Sequence, residues 1–360
     1  MDIRGALPVA ELPTRADDGM PCLELTDAER TALHDLAEAA LDDSHEQPLD
    51  QRLDQLTLLA HEMPVRIRSH LVRFRLTGRP YGGLVVANLP VSEALAGPTP
   101  TDYVHEPVSA EAERATALLL LFGTLLGDPV SFLTQQRGRL VLDLFPIKGH
   151  EAEQLGSSST TPLEWHNEDA FHPLRADWIM LAGIRNHDRV PTTFATVQDI
   201  RLEDRLRALL FEERFVIRPD ESHTAAFNSR TTGLEEESWV AEAFRDIADQ
   251  QTEPRRTAVL SGDRAAPYIR IDPAFMPRTL DSEALQALDA AIAAIDAGLR
   301  DVVVGPGELL IVDNKRAVHG RRPFAARYDG TDRWLRRINV LADLRRAGGR
   351  RYAPHGRALV

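Results

Sequence analysis

The chain has 360 residues, 43% hydrophobic and 27% charged, the balance of an ordinary globular protein with core enough for one large domain and its additions. A net charge of −13 argues against nucleic acid or an anionic membrane as partner and suits a cationic small molecule. The single cysteine, Cys22, excludes an intrachain disulfide and a thiolate metal cluster.

Residues 1–20 mix charge with Gly5, Pro8, Pro13 and Gly19 and read as a flexible N-terminal arm. The start lacks the basic-then-apolar pattern of a secretory signal, so a cytoplasmic location is expected. Thr26 and Glu29 form a capping box, and Ala32, Leu33, Leu36, Ala37, Ala40 and Leu41 follow at helical spacing. A second helical pattern runs through Leu53, Leu56, Leu59 and Ala60, and a third spans 110–126. Its apolar run, interrupted by Thr116, Gly123 and Thr124, is too short to cross a bilayer, so no membrane span is expected. Residues 21–126 are therefore predicted mainly helical, apart from a strand at 84–87.

Beyond residue 130 the pattern shifts to short strands between turn signals: 140–145, 178–184, 192–197, 258–260, 268–271, 308–312 and 337–341. Helices are expected at 199–211 and 281–299, the latter with Leu285, Leu288, Ile292, Ile295 and Leu299 on one face. The fold class is mainly β with added helices: a double-stranded β-helix, or cupin-type jelly roll, over 21–350, with 351–360 as a C-terminal tail.

In Trp165-His-Asn-Glu168-Asp, His166 and Glu168 stand two apart, which on a strand points both to one face. His319, after the strand-like run Glu308 to Asp313, supplies a third ligand type. Two imidazoles and one carboxylate on one face of a metal leave positions open, as non-haem iron(II) oxygenases need. The same set also suits zinc with a bound water. Arg333, and Arg337 two alternating steps beyond, offer planar guanidinium groups for a carboxylate; a basic surface strand is the competing reading.

Five stretches, 133–149, 165–186, 211–223, 268–275 and 309–340, together resemble the clavaminate synthase-like 2-oxoglutarate oxygenases, especially the free L-arginine hydroxylases of viomycin and streptolidine biosynthesis. The likeness covers roughly residues 25 to 345. It implies Fe(II), held by His166, Glu168 and His319, and 2-oxoglutarate, whose far carboxylate meets Arg333 with Thr192 nearby. It implies further that Gln135 and Glu168 receive a substrate α-amino group, that Arg337 pairs with its α-carboxylate, and that Asp220, Ser222 and Asp272 line the pocket for a basic side chain. Two departures stand out: Ala274 replaces a second acid of the viomycin enzyme, and Gly156 replaces its carboxylate-binding serine, leaving Ser157 or Ser158 to substitute.

The implied reaction is hydroxylation at C3 or C4 of free arginine, or next lysine, with amino acid and dioxygen as the small-molecule partners and succinate and carbon dioxide released. Glu168 favours hydroxylation over halogenation, since related halogenases carry a small residue there. Desaturation or cyclisation, a zinc hydrolase and a non-catalytic binding module are the alternatives. Residues 172–177 are the expected mobile cover.

Overall fold

Alternation of apolar side chains builds the centre of the molecule. In the strand Leu309–Asp313, Leu309 and Ile311 enter one buried cluster while Leu310 and Val312 enter another, so this strand is covered on both faces. The computed structural model describes residues 11–42, 51–103, 109–232, 238–352 and 356–360. Among them, nine strands form a large sheet in the order Cys22–Glu24, Gly83–Ala87, Leu309–Asp313, Trp178–Arg185, Trp334–Leu341, Asp128–Phe132, Ala358–Leu359 and Arg351–Tyr352, with Leu142–Leu144 also paired to Trp334–Leu341. A second sheet runs Arg300–Val302, Thr192–Thr196, Ala317–Arg321 and Leu163–His166.

One buried cluster draws Val85, Ile179, Leu181, Leu310 and Leu335 from the large sheet and Phe194, Val302 and Ala317 from the small one, so the two sheets share a core. The other face of the large sheet packs on helices Asp27–Ala40, Leu53–Ala60, Val65–Thr77 and Ala110–Leu126. The outer face of the small sheet packs on the helix Ser282–Gly298 through Ala195, Val318, Leu288 and Ile295. No helix among the described residues is long and apolar enough to cross a membrane.

The capping box forms as read: Glu29 N–H donates to Thr26 Oγ1 at 3.3 Å, and Thr26 N–H donates to Glu29 Oε2 at 2.9 Å. The helix Val65–Thr77 was not expected. Its buried Ile67, His70, Leu71 and Phe74 follow helical spacing, but the arginines between them mask it. Both termini make contacts with the core where they are described. Residues 1–10 of the arm lie outside the described residues, whereas Arg15 pairs with Glu308 at 3.3 Å and Met20 is fully buried. Within the tail, Ala358 and Leu359 pair in parallel with Ser131 and Phe132. Cys22 is buried, which pushes its thiol up to about 11 and leaves it unreactive.

Buried charge ties the large sheet to the helix Ala110–Leu126. Asp143 accepts from Trp334 Nε1 at 2.6 Å and Arg336 Nε at 3.0 Å, while Arg336 Nη1 donates to Ala112 O at 2.7 Å and to Thr116 Oγ1. Asp143→Ala would leave buried Arg336 with Glu113, at 3.6 Å, as its remaining carboxylate partner among the described residues. The expected cost is about 3 to 5 kcal/mol, read from urea unfolding. A loss below about 1 kcal/mol would show that water replaces the carboxylate there.

Candidate active site

Strand register brings the two histidines together. His166 ends one strand of the small sheet and is the cross-strand partner of His319 on the next, so both rings stand on one face with centroids 4.7 Å apart. Gly320 permits this approach: a Cβ there would lie 2.5 Å from Leu163 O and 2.9 Å from Trp165 N. Glu168 follows after the strand, and two asparagines hold its backbone. Asn314 accepts from Glu168 N–H through Oδ1 at 2.8 Å and donates through Nδ2 to Glu168 O and Ala176 O, each at 3.0 Å. Asn167 donates to Asn314 O and Ala317 O and accepts from Ile271 N–H.

His166 Nδ1 donates to Glu164 O at 2.8 Å, which turns Nε2 toward Glu168 and His319. Glu168 Oε2 lies 3.8 Å from His166 Nε2 and 3.4 Å from His319 Nε2. That oxygen is buried and has no hydrogen-bond donor, whereas Oε1 is held by Arg337 Nη1 at 2.5 Å. A buried acceptor facing two imidazole nitrogens fits a divalent cation. Burial opposes ionisation of Glu168, but Arg337 and then the two histidines outweigh it and hold the carboxyl well below its usual range. Burial draws His319 down to about 4; at His166 the same penalty is overcome by Glu168 and Asp272, which raise it to about 9.

One cavity of about 1040 Å³, mouth included, collects every site residue named from the sequence: Gln135, His166, Glu168, Thr192, Asp220, Ser222, Asp272, His319, Arg333 and Arg337. Arg333 is buried and donates through Nη2 to Thr192 Oγ1 at 3.2 Å. No carboxylate pairs with it among the described residues, and burial pushes it down to about 9 with Arg321 adding repulsion. On the other side, burial lifts Asp272 to about 7, opposed by His166 and helped by Asp220.

Several functional neighbours were not singled out from the sequence. Arg321 was legible in principle, standing one alternating step from His319; it donates to Ser158 O, Ser158 Oγ and Thr161 O. Because Ser158 is occupied in that way, Ser157 is the serine that lines the cavity beside Gly156. Asp169 and His223, both fully buried and 2.8 Å apart, carried no periodic signal. Residues 172–177 are not an open cover: His172, Leu174, Arg175 and Ala176 are buried, and Arg175 donates to Asn314 O at 2.8 Å and Ile269 O at 2.9 Å. The segment is a strut under the metal motif.

Comparison with known proteins agrees with this geometry. The chain is 42% identical to an enduracididine beta-hydroxylase of Streptomyces hygroscopicus, over 84% of this chain and 89% of that protein. It is 38% identical to an L-ornithine/L-arginine 3-hydroxylase of Catenulispora acidiphila, over 84% and 88%. Among solved structures, the non-heme iron oxygenase OrfP in complex with Fe, succinate and (3S)-hydroxy-L-Arg matches with a TM-score of 0.86 and 38% identity, over 95% of this chain and all of that one. OrfP with Fe and alpha-ketoglutaric acid matches with a TM-score of 0.81 and 37% identity, over 94% and 100%. Residues 105–339 match the family described as taurine catabolism dioxygenase TauD, TfdA family. The chain therefore belongs to the TauD/TfdA family of dioxygenases.

Proposed function

We propose that this protein is an iron(II)- and 2-oxoglutarate-dependent hydroxylase of a free basic L-amino acid, arginine ahead of lysine, acting on an unactivated C3 or C4 and releasing succinate and carbon dioxide. The observation that carries the reading is the division of charge across one cavity: Arg333 without a carboxylate partner lines it, and so do Asp220 and Asp272. A dicarboxylate and a cationic side chain complement those groups, each offsetting the desolvation of the buried charge it meets. The named relatives, hydroxylases of enduracididine and of ornithine and arginine, support the same class. The two sheets with a shared core are read as the halves of a jelly roll.

In this reading His166, Glu168 and His319 hold the metal, with Glu168 ligating through Oε2 because Arg337 occupies Oε1. Iron bound there with 2-oxoglutarate would activate dioxygen, the oxidant for an aliphatic C–H bond, one oxygen atom going to the substrate and one to succinate. Arg333, steadied by Thr192, receives the far carboxylate of 2-oxoglutarate in a bidentate fork. Arg337, whose Nε is buried and without an acceptor, has donor capacity left for the substrate α-carboxylate. Gln135 and Glu168 receive the α-amino group. Asp220, Ser222 and Asp272 receive the basic side chain, and so aim one carbon at the metal. A zinc hydrolase would have no use for the buried Arg333.

The direct test is succinate release from the iron-loaded protein over a panel of free amino acids, with mass spectrometry of the products. Arginine or lysine is expected to stimulate release and gain one oxygen; no stimulation by any amino acid overturns the reading. Glu168→Ala is expected to abolish turnover, and near-normal turnover would remove Glu168 from the metal site. Arg333→Met is expected to raise the KM for 2-oxoglutarate at least about tenfold, the loss of one charge-assisted pair. Asp272→Ala is expected to weaken binding of a basic amino acid by about 2 to 5 kcal/mol and to leave neutral ones unaffected, measured by calorimetry.

A further inference from the structure

Beside the metal cluster lies a buried polar network that the proposed chemistry does not use. Asp169, the residue after Glu168, adopts the left-handed region at φ 49°, a conformation that Asp tolerates better than most and that tends to persist where surrounding contacts require it. Its Oδ1 accepts from His223 Nε2 at 2.8 Å and from Gln135 Nε2 at 3.4 Å, and its Oδ2 accepts from Asn339 Nδ2 at 3.1 Å. The opposite nitrogen of His223, Nδ1, is 2.6 Å from Thr134 Oγ1, and the ring packs edge-on against Phe132 and Phe171. Both side chains are completely buried. With its oxygens engaged by three side-chain donors, Asp169 is a strut and not a second cation site.

The consequence falls on Gln135. Ser222 Oγ donates its one proton to Asp220 Oδ1 at 2.5 Å, so toward Gln135 it can only accept. Gln135 Nε2 donates to it at 2.9 Å and to Asp169 as well. Both acceptors therefore fix which end of the amide is nitrogen. Gln135 Oε1 is left buried, without a donor, on a residue that lines the cavity with Glu168. A desolvated carbonyl held in that way is built to accept from an N–H group of a ligand.

We infer that the Asp169–His223 pair is a positioning device that locks the Gln135 amide with its carbonyl toward the pocket, and so sets selectivity for a substrate that carries an α-amino group. Asp169 and His223 act through Gln135; neither touches the reacting atoms. The inference rests on the proposed amino-acid reading of the pocket.

The test compares two ligands that differ only in the α-amino group, L-arginine and 5-guanidinopentanoate, by anaerobic calorimetry on the protein loaded with iron(II) and 2-oxoglutarate. Wild type is expected to prefer L-arginine at least about tenfold, the worth of one charge-assisted hydrogen bond. His223→Leu is expected to remove most of that preference while 5-guanidinopentanoate and 2-oxoglutarate bind as before, and to have no further effect in a Gln135→Leu background. General damage to the pocket would weaken both guanidino ligands equally and leave the ratio unchanged, which overturns the inference. If His223→Leu does not fold, Thr134→Val, which removes only the hydroxyl behind the ring, carries the test; a ratio unchanged there overturns it too. A wild type that binds both ligands equally overturns the inference and the assignment of the α-amino group to Gln135 and Glu168 but leaves the pocket for a basic side chain standing, whereas a wild type that binds neither overturns the amino-acid reading and the inference with it.

Discussion

The site turns on how one carboxylate is shared. Glu168 Oε1 is taken by Arg337 at 2.5 Å, and Oε2 is left facing His166 and His319. A carboxylate whose two oxygens answered to the same partner would ligate differently or swing away. Here the guanidinium holds one oxygen and leaves the other toward the two histidines, where in the proposed reading it would meet the cation. Because Arg337 sits on the large sheet and the histidines on the small one, this single ion pair also joins the two sheets across the cavity. The depth of Glu168's ionisation follows from the same contact, since burial alone would push it the other way.

Backbone anchoring makes that sharing reproducible. Asn314 bonds both the N–H and the carbonyl of Glu168, and Asn167 bonds across to the strand that bears His319. Arg175 completes the frame from below by donating to Asn314 O. These are neutral or charge-assisted bonds in a dry interior, where each is stronger than at the surface and each broken one is costly. The chemistry is thus supported on rigid elements even though Glu168 itself lies beyond the end of a strand.

Much of this was legible in the sequence for definite reasons. Short apolar runs between turn signals marked Leu309–Asp313 and Trp178–Arg185, whereas the His-x-Glu spacing was read as one strand and the strand ends at His166, so that Glu168 joins His166 and His319 from the turn beyond it. The helix Val65–Thr77 escaped because charged side chains stand between its apolar positions. Asp169 and His223 escaped because neither sits on a regular element with a period to read; their partnership exists only once residues 134, 169 and 223 meet in three dimensions. The expectation of a mobile cover at 172–177 failed for a related reason. A polar, proline-bearing stretch reads as loop, and nothing local shows that Arg175 will find two buried carbonyls.

Arg321 and Arg333 have a thermodynamic consequence. Two buried guanidinium groups repel each other, and neither pairs with a carboxylate among the described residues. A dianion that reaches them relieves both the repulsion and the desolvation, and it does so only in the folded state. In the proposed reading folding and metabolite binding are linked functions: a dicarboxylate held by these two groups would add to the protein's resistance to unfolding, so the enzyme would persist best where its cosubstrate is plentiful.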